Sequence, residues 1–255
     1  MSKFSDKLQR VYRNSAPSMG FRRSAGEAGS PPMLIVAKLA KGDVKRASVI
    51  AGSVDAGVVS SGSLDADSFK QLVTSLGDIP LGLSLENATQ GEVAKLADLD
   101  CDFVIFDLKT PLVAVRKEGA GKVLKIEPSL NHSLGKSIND LQLSIDGVLV
   151  AGEEASITVE RLLVCQRFAE LLNKPLLVTL ASSATSDEIS SLYKAGVNGL
   201  VVPEGLPVGA VAEMRKAIAD LPRVVKRTAR GGALLPQVSS EMEVEIEEDE
   251  EEEEV

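Results

Sequence analysis

The stretch VLKIEPSL, residues 123–130, closes an apolar run with two charged residues of opposite sign, Lys125 and Glu127. They are two positions apart, so on an extended chain they share one face and oppose Leu124 and Ile126. If that face is interior, Lys125 needs a carboxylate partner to offset its desolvation, and Glu127, Glu86 and Asp107 are the acids that stand at comparable run ends. Lys125 and Asp107 are the candidate catalytic residues, because a paired amine and carboxylate can move protons at a reacting atom. The other run ends carry Lys38, Ser60 and Ser61, Glu153 and Glu154, Ser182, and Glu204. His132, the one histidine, follows the fifth run and reads as a solvated loop residue. Cys101 and Cys165 have no metal-like or redox spacing and read as reduced packing residues.

The elements that must position these residues repeat regularly. Eight apolar runs of strand type are MLIVAKL (33–39), AGVVSSG (56–62), PLGLSLE (80–86), DFVIFDL (102–108), KVLKIEP (122–128), DGVLVAG (146–152), PLLVTLAS (175–182) and NGLVVPEG (198–205). Helical periodicity lies between them, as at 65–77, where Phe69, Leu72, Val73 and Leu76 share a face. Further helices are expected at 158–172, 185–196 and 207–221, the second of these with an N-cap and acids in its first turn. Strand and helix alternating eight times predict an α/β protein, a single compact (β/α)8 TIM barrel over residues 33–221. A doubly wound nucleotide-binding sheet should carry a Gly-rich loop after its first strand, where this chain has AKGDVKR. In the barrel, chemistry belongs at the C-terminal ends of the strands. A phosphate suits those ends poorly, since strand 7 leaves as ASSATSDE and strand 8 as VPEGLP, with Glu204 opposing an anion. The bulky aliphatic faces are expected to meet the helices, leaving the polar faces inside.

FDLKTPLVAV resembles the Asp-x-Lys core of the orotidine-monophosphate decarboxylase superfamily, but Leu112 stands where that pattern has a further Asp. Asp107 and Lys109 are then expected to form an ion pair at the rim. A longer stretch, LKIEPSLNHSLGKSINDLQLSIDGVLVAGEE followed by NKPLLVTLASSATSDEISSLYKAGVNGLVVPEG, resembles the class II 2-oxo-acid aldolase and citrate-lyase β-subunit family. That resemblance implies Glu127 and Glu154 as ligands of a divalent cation, Mg²⁺ or Mn²⁺, which would polarise a 2-oxo acid and stabilise its enolate. It also implies a catalytic His after an early strand and an Arg after the third, and this chain has neither.

Residues 1–32 read as a basic amphipathic helix and a linker, with Phe4, Leu8, Val11 and Tyr12 on one face among Lys3, Lys7, Arg10 and Arg13. That helix is expected to dock on the barrel, on a second subunit or protein partner, or weakly on a membrane surface. Residues 222–255 read as a basic segment and a disordered acidic C-terminal tail. The last fifteen residues hold eleven acids and no base, so the net charge of -9 is theirs and the rest of the chain is close to neutral. No nucleic-acid surface is expected. The lack of a signal-peptide pattern in the first residues points to a cytoplasmic protein. Two functions fit. The missing His, Arg and phosphate loops slightly favour a non-catalytic binding or assembly barrel; the alternative is a divalent-metal-dependent C–C lyase acting on a small 2-oxo acid.

Overall fold

Each of the eight apolar runs becomes a strand, and each strand is buried on both faces, as parallel barrel strands must be. The structure is a computed structural model that describes residues 2–15, 31–63, 65–85, 99, 101–116, 119–152 and 156–222. The strands are β1 (Leu34–Leu39), β2 (Ala56–Ser60), β3 (Leu81–Ser84), β4 (Phe103–Phe106), β5 (Gly121–Ile126), β6 (Gly147–Val150), β7 (Leu176–Thr179) and β8 (Gly199–Val202). They are all parallel and close in sequence order, β8 pairing with β1. Among the described residues the helices are α1 (Lys3–Ser15), α2 (Val44–Ile50), α3 (Ala66–Leu76), α4 (Leu112–Val115), α5 (His132–Asp140), α6 (Val159–Leu171), α7 (Ser186–Lys194) and α8 (Val208–Ala219). The expected (β/α)8 barrel is therefore the fold. None of the described helices is long and apolar enough to cross a membrane. His132 opens α5 as an exposed helical residue, because Asn131 caps that helix by accepting from Leu134 N; the expected loop ends one residue earlier.

Strand alternation sorts the core into two shells. Ile35, Ala37, Leu83, Val104, Leu124, Ile126, Val148 and Val178 face outward and pack with the helices. Leu34, Val36, Val58, Ile105, Val123, Leu149, Leu177 and Val201 face inward. This corrects the expectation of a polar interior. Most of the barrel's inside is a second apolar core, and only its uppermost level is polar.

The inward core is closed from below by α1. Phe4, Leu8 and Val11 are buried with the inward residues, and the Phe4 ring stacks on Phe103 with centroids 4.2 Å apart. Asp102, just before β4, holds the first turn of α1, accepting from Ser2 Oγ at 2.7 Å, Lys3 N at 2.7 Å and Phe4 N at 2.8 Å. It thus satisfies amide donors that a helix start leaves open, and its charge suits the positive end of the helix. Glycines at the strand starts make the room. A Cβ on Gly121 would lie 2.3 Å from Ser5 Oγ, and one on Gly147 2.7 Å from Leu8 Cδ2. Of the three expected uses of residues 1–13, docking on the barrel is the one the structure shows, and it takes up the apolar face that a partner or membrane would need. The expected linker and the expected acidic tail, 16–30 and 223–255, lie outside the described residues.

Candidate active site at the barrel mouth

The pairing register fixes which side chains share a level inside the barrel. Followed once around, it returns to β1 eight positions lower, the shear of 8 of a (β/α)8 barrel. Equal height is thus reached by moving about one residue up the chain for each strand crossed, and alternate strands fill alternate layers. From the bottom the layers are Ala56, Phe103, Gly147 and Gly199; then Val36, Gly82, Val123 and Leu177; then Val58, Ile105, Leu149 and Val201. The fourth layer, from β1, β3, β5 and β7, is Lys38, Ser84, Lys125 and Thr179. It is the first polar level of the interior, and it lies at the C-terminal end of the strands.

Two lysines from opposite walls therefore enter the mouth above an apolar floor. Both are half-buried, and Ser84 and Thr179 between them are buried. Thr179 Oγ1 donates to Gly152 O at 2.9 Å. Among the described residues Ser84 Oγ is buried with no hydrogen-bond partner, as is Ser61 Oγ just beyond β2. An unpaired buried hydroxyl costs about 1–3 kcal/mol, which a ligand oxygen in the mouth would offset. Lys38 stands among the run ends in the sequence, but neither it nor Ser84 is a candidate site residue there. Their signal was the strand register, which the sequence does not state.

The wall between β6 and β7 is held by Arg161 of α6. Its guanidinium donates to Ala151 O, to Val150 O at 3.1 Å and to Thr179 O at 3.4 Å, tying both strand ends together. Gly152 is required beside it, because a Cβ there would fall 2.2 Å from Arg161 Nη1. A cavity of about 20 Å³ adjoins this wall, room for one water. The α7 rim is fixed by a capping box: Glu188 N donates to Thr185 Oγ1 at 3.3 Å, and Thr185 N donates to Glu188 Oε2 at 2.8 Å. The Thr185 amide is the main reason the Glu188 carboxyl is held below its ordinary range. Because the folded value is the lower one, this contribution is present above the ordinary Glu value near ~4.3 and is lost as pH falls through the folded value. Thr185→Ala is expected to cost about 1 kcal/mol at neutral pH. Urea melts at pH 7 and in acid should show the difference between wild type and variant shrinking as the solution is acidified.

The expected site residues fare unequally. Lys125 is where the alternation put it, in the polar layer. Asp107 lies one level higher and is engaged in a turn: its Oδ1 accepts from Lys109 N at 2.8 Å and Thr110 Oγ1 at 2.9 Å. It therefore bonds the Lys109 backbone, and no Asp107–Lys109 ion pair forms among the described residues. Glu127 stands past the end of β5, exposed, with Ser129 Oγ at 3.3 Å as its hydrogen-bond donor. Glu154 and Glu86 lie outside the described residues. Among the described residues no group of three His, Cys, Asp or Glu side chains is placed to hold a metal ion.

The closed barrel with one polar level at its catalytic end defines the chain as a TIM-barrel protein. No protein-family model and no curated protein sequence matches it. Solved structures do. A Mycobacterium tuberculosis tryptophan synthase structure superposes with a TM-score of 0.59 at 13% identity, over 86% of this chain and 98% of that one. A mutant tryptophan synthase alpha-subunit from Pyrococcus furiosus gives 0.54 at 15% identity, over 74% of this chain and 97% of that one. A protein from Aquifex aeolicus VF5 gives 0.58 at 14% identity, over 86% and 100%. At these identities the likeness establishes the fold. It also corrects the two functions expected from sequence. Two of these neighbours carry the name of tryptophan synthase, where the sequence had suggested a non-catalytic assembly barrel. Nor are they named as aldolases or citrate lyases, and of the two expected metal ligands Glu127 is exposed and Glu154 lies outside the described residues.

Proposed function

We propose that this chain is an enzyme, a tryptophan synthase alpha-like barrel whose reaction centre is the layer of Lys38, Ser84, Lys125 and Thr179. The observation that supports it is the placement of both lysines in the one polar level of an apolar interior, at the end where barrel enzymes carry their chemistry. The substrate class that fits is a small anion. Two ammonium groups from opposite walls can hold a carboxylate or phosphate, or stabilise an oxyanion as it forms, and above an apolar floor their field is weakly screened. The Ser84 hydroxyl has a donor to spare for the same ligand. Cys101 and Cys165 are buried and form no disulfide, and burial pushes Cys165 up to about 11. Inert reduced thiols suit a reducing compartment, and the proposal keeps the cytoplasmic placement.

Calorimetry with inorganic phosphate and with malonate tests the reading, using chloride of equal ionic strength as the control. One of the two anions is expected to bind the wild type. Lys38→Met and Lys125→Met are each expected to weaken it about tenfold or more, the scale of a lost charge-assisted hydrogen bond. Identical titrations for wild type and the double variant would remove the mouth as the site.

A further inference from the structure

We propose that the groove beneath the barrel, beside α1, is a docking site for an acidic extended segment, and that the chain's own residues 241–255 occupy it. The groove has a volume of about 700 Å³, and Arg10, Arg13 and Lys122 line it together with Gln9 and Ser5. Arg10 and Arg13 are exposed, and none of the three cations forms an ion pair among the described residues. Of the two acids on its walls, Asp146 is turned to the barrel, accepting from Ser5 Oγ at 3.0 Å and Lys122 N at 2.8 Å. Asp6 is the one exposed acid against these cations. The apolar face of α1 is spent on the barrel floor, so what α1 presents outward here is charge.

The path of the chain brings the tail to this end. Barrel helices run opposite to the strands, so α8 descends to the face that α1 closes. Two contacts show the two helices meeting there: Arg215 of α8 binds the Asp55 carboxylate, and Lys7 Nζ of α1 donates to Asp55 O at 3.0 Å. Pro222 follows α8 closely and lies on the same face as the groove. A flexible segment of the length of 223–240 would span on the order of 25 Å and keep the tail near the groove at millimolar effective concentration. The tail's composition fits the site. EMEVEIE, residues 241–247, alternates Glu with Met242, Val244 and Ile246, so an extended chain sets a row of carboxylates on one face. The run EDEEEEE follows. An acidic segment of another protein would compete for the same groove.

The test uses a fluorescent peptide of residues 241–255 and anisotropy at low salt. A chain ending at residue 240 is expected to bind it and to lose it at 0.5 M salt, and the full chain is expected to bind at least tenfold more weakly, its groove being filled. Arg10→Gln, Arg13→Gln and Lys122→Gln together in the shortened chain should cost tenfold or more. Equal binding by full and shortened chains, or no binding by either, overturns the proposal. So does a loss that follows Arg223, Lys226, Arg227 and Arg230→Gln instead, which would put the tail on its own basic tether. Carbodiimide cross-linking of the unmodified full chain gives an answer free of folding effects. A Lys122 link to a tail glutamate is expected, and links confined to Lys226 would overturn the groove.

Discussion

Leu8→Asp is expected to cost the protein most of its stability, about 5 kcal/mol, through a helix that precedes the barrel in sequence. Leu8 is 0% exposed and stands among inward-facing barrel residues. Removing a buried leucine costs about 2–5 kcal/mol in lost contacts and residual cavity. The carboxylate adds a desolvation cost of its own, because Leu8 is buried in the apolar cluster with Phe103, Leu149 and Leu177 and against the backbone of Gly147. A loss of this size matches the whole stability of a marginal domain. Leu8→Ala should lose about 3 kcal/mol, which separates the packing part from the charge part. Urea unfolding followed by circular dichroism reads both. An aspartate variant with the wild-type midpoint would mean that α1 does not hold the floor shut. Deleting the acidic tail should leave the same midpoint nearly unchanged, since docking at an exposed groove is a surface interaction.

Where sequence reasoning succeeded on this fold, and where it stopped, follows from what alternation can and cannot say. Seven of the eight runs contain their strands and the fifth misses only Gly121, because an apolar stretch of β-branched and leucine residues between turn signals has few other uses. Alternation also placed Lys125 on the same face as Val123, and that is the inward face. It could not say that the inward face is apolar for three layers before it turns polar. Both faces of a parallel strand are apolar, so the sequence does not label them. The lysine on the opposite wall was therefore missed as a partner. Lys38 and Lys125 become neighbours in height only through the shear of the closed sheet. Glu127 misled for a related reason. It shares parity with Lys125, but β5 ends at Ile126, and past a strand end the alternation no longer directs the side chain. The amphipathic face of α1 was legible. What covers it was not, although glycines at the starts of β5 and β6 were the trace of an object needing room below.

The second large effect is expected at Asp55, a residue the sequence did not single out because it precedes β2 at the end of the barrel away from the chemistry. Its carboxylate receives both arms of Arg215, at 2.9 and 2.6 Å, and the amide of Ile35 at 2.8 Å. Its own amide donates to Ile35 O at 2.8 Å, and its carbonyl accepts from Lys7. One residue thus joins α1, β1, β2 and α8 beneath the barrel. The Asp55 side chain is only 10% exposed and that of Arg215 is 27% exposed, so the two partners are not equivalent. Arg215→Ala strands a carboxylate in the interior and is expected to cost about 3 kcal/mol, at the low end of broken buried pairs because Asp55 keeps the Ile35 amide. Asp55→Asn keeps that amide bond and leaves an arginine that can turn to water, so it should cost less, about 1–2 kcal/mol. The order of the two losses carries the argument, and it should persist in 0.5 M salt, since a buried pair is weakly screened. Equal losses, or a larger one for Asp55→Asn, would show that the arginine is held by solvent and that the knot under the barrel is made by backbone hydrogen bonds alone.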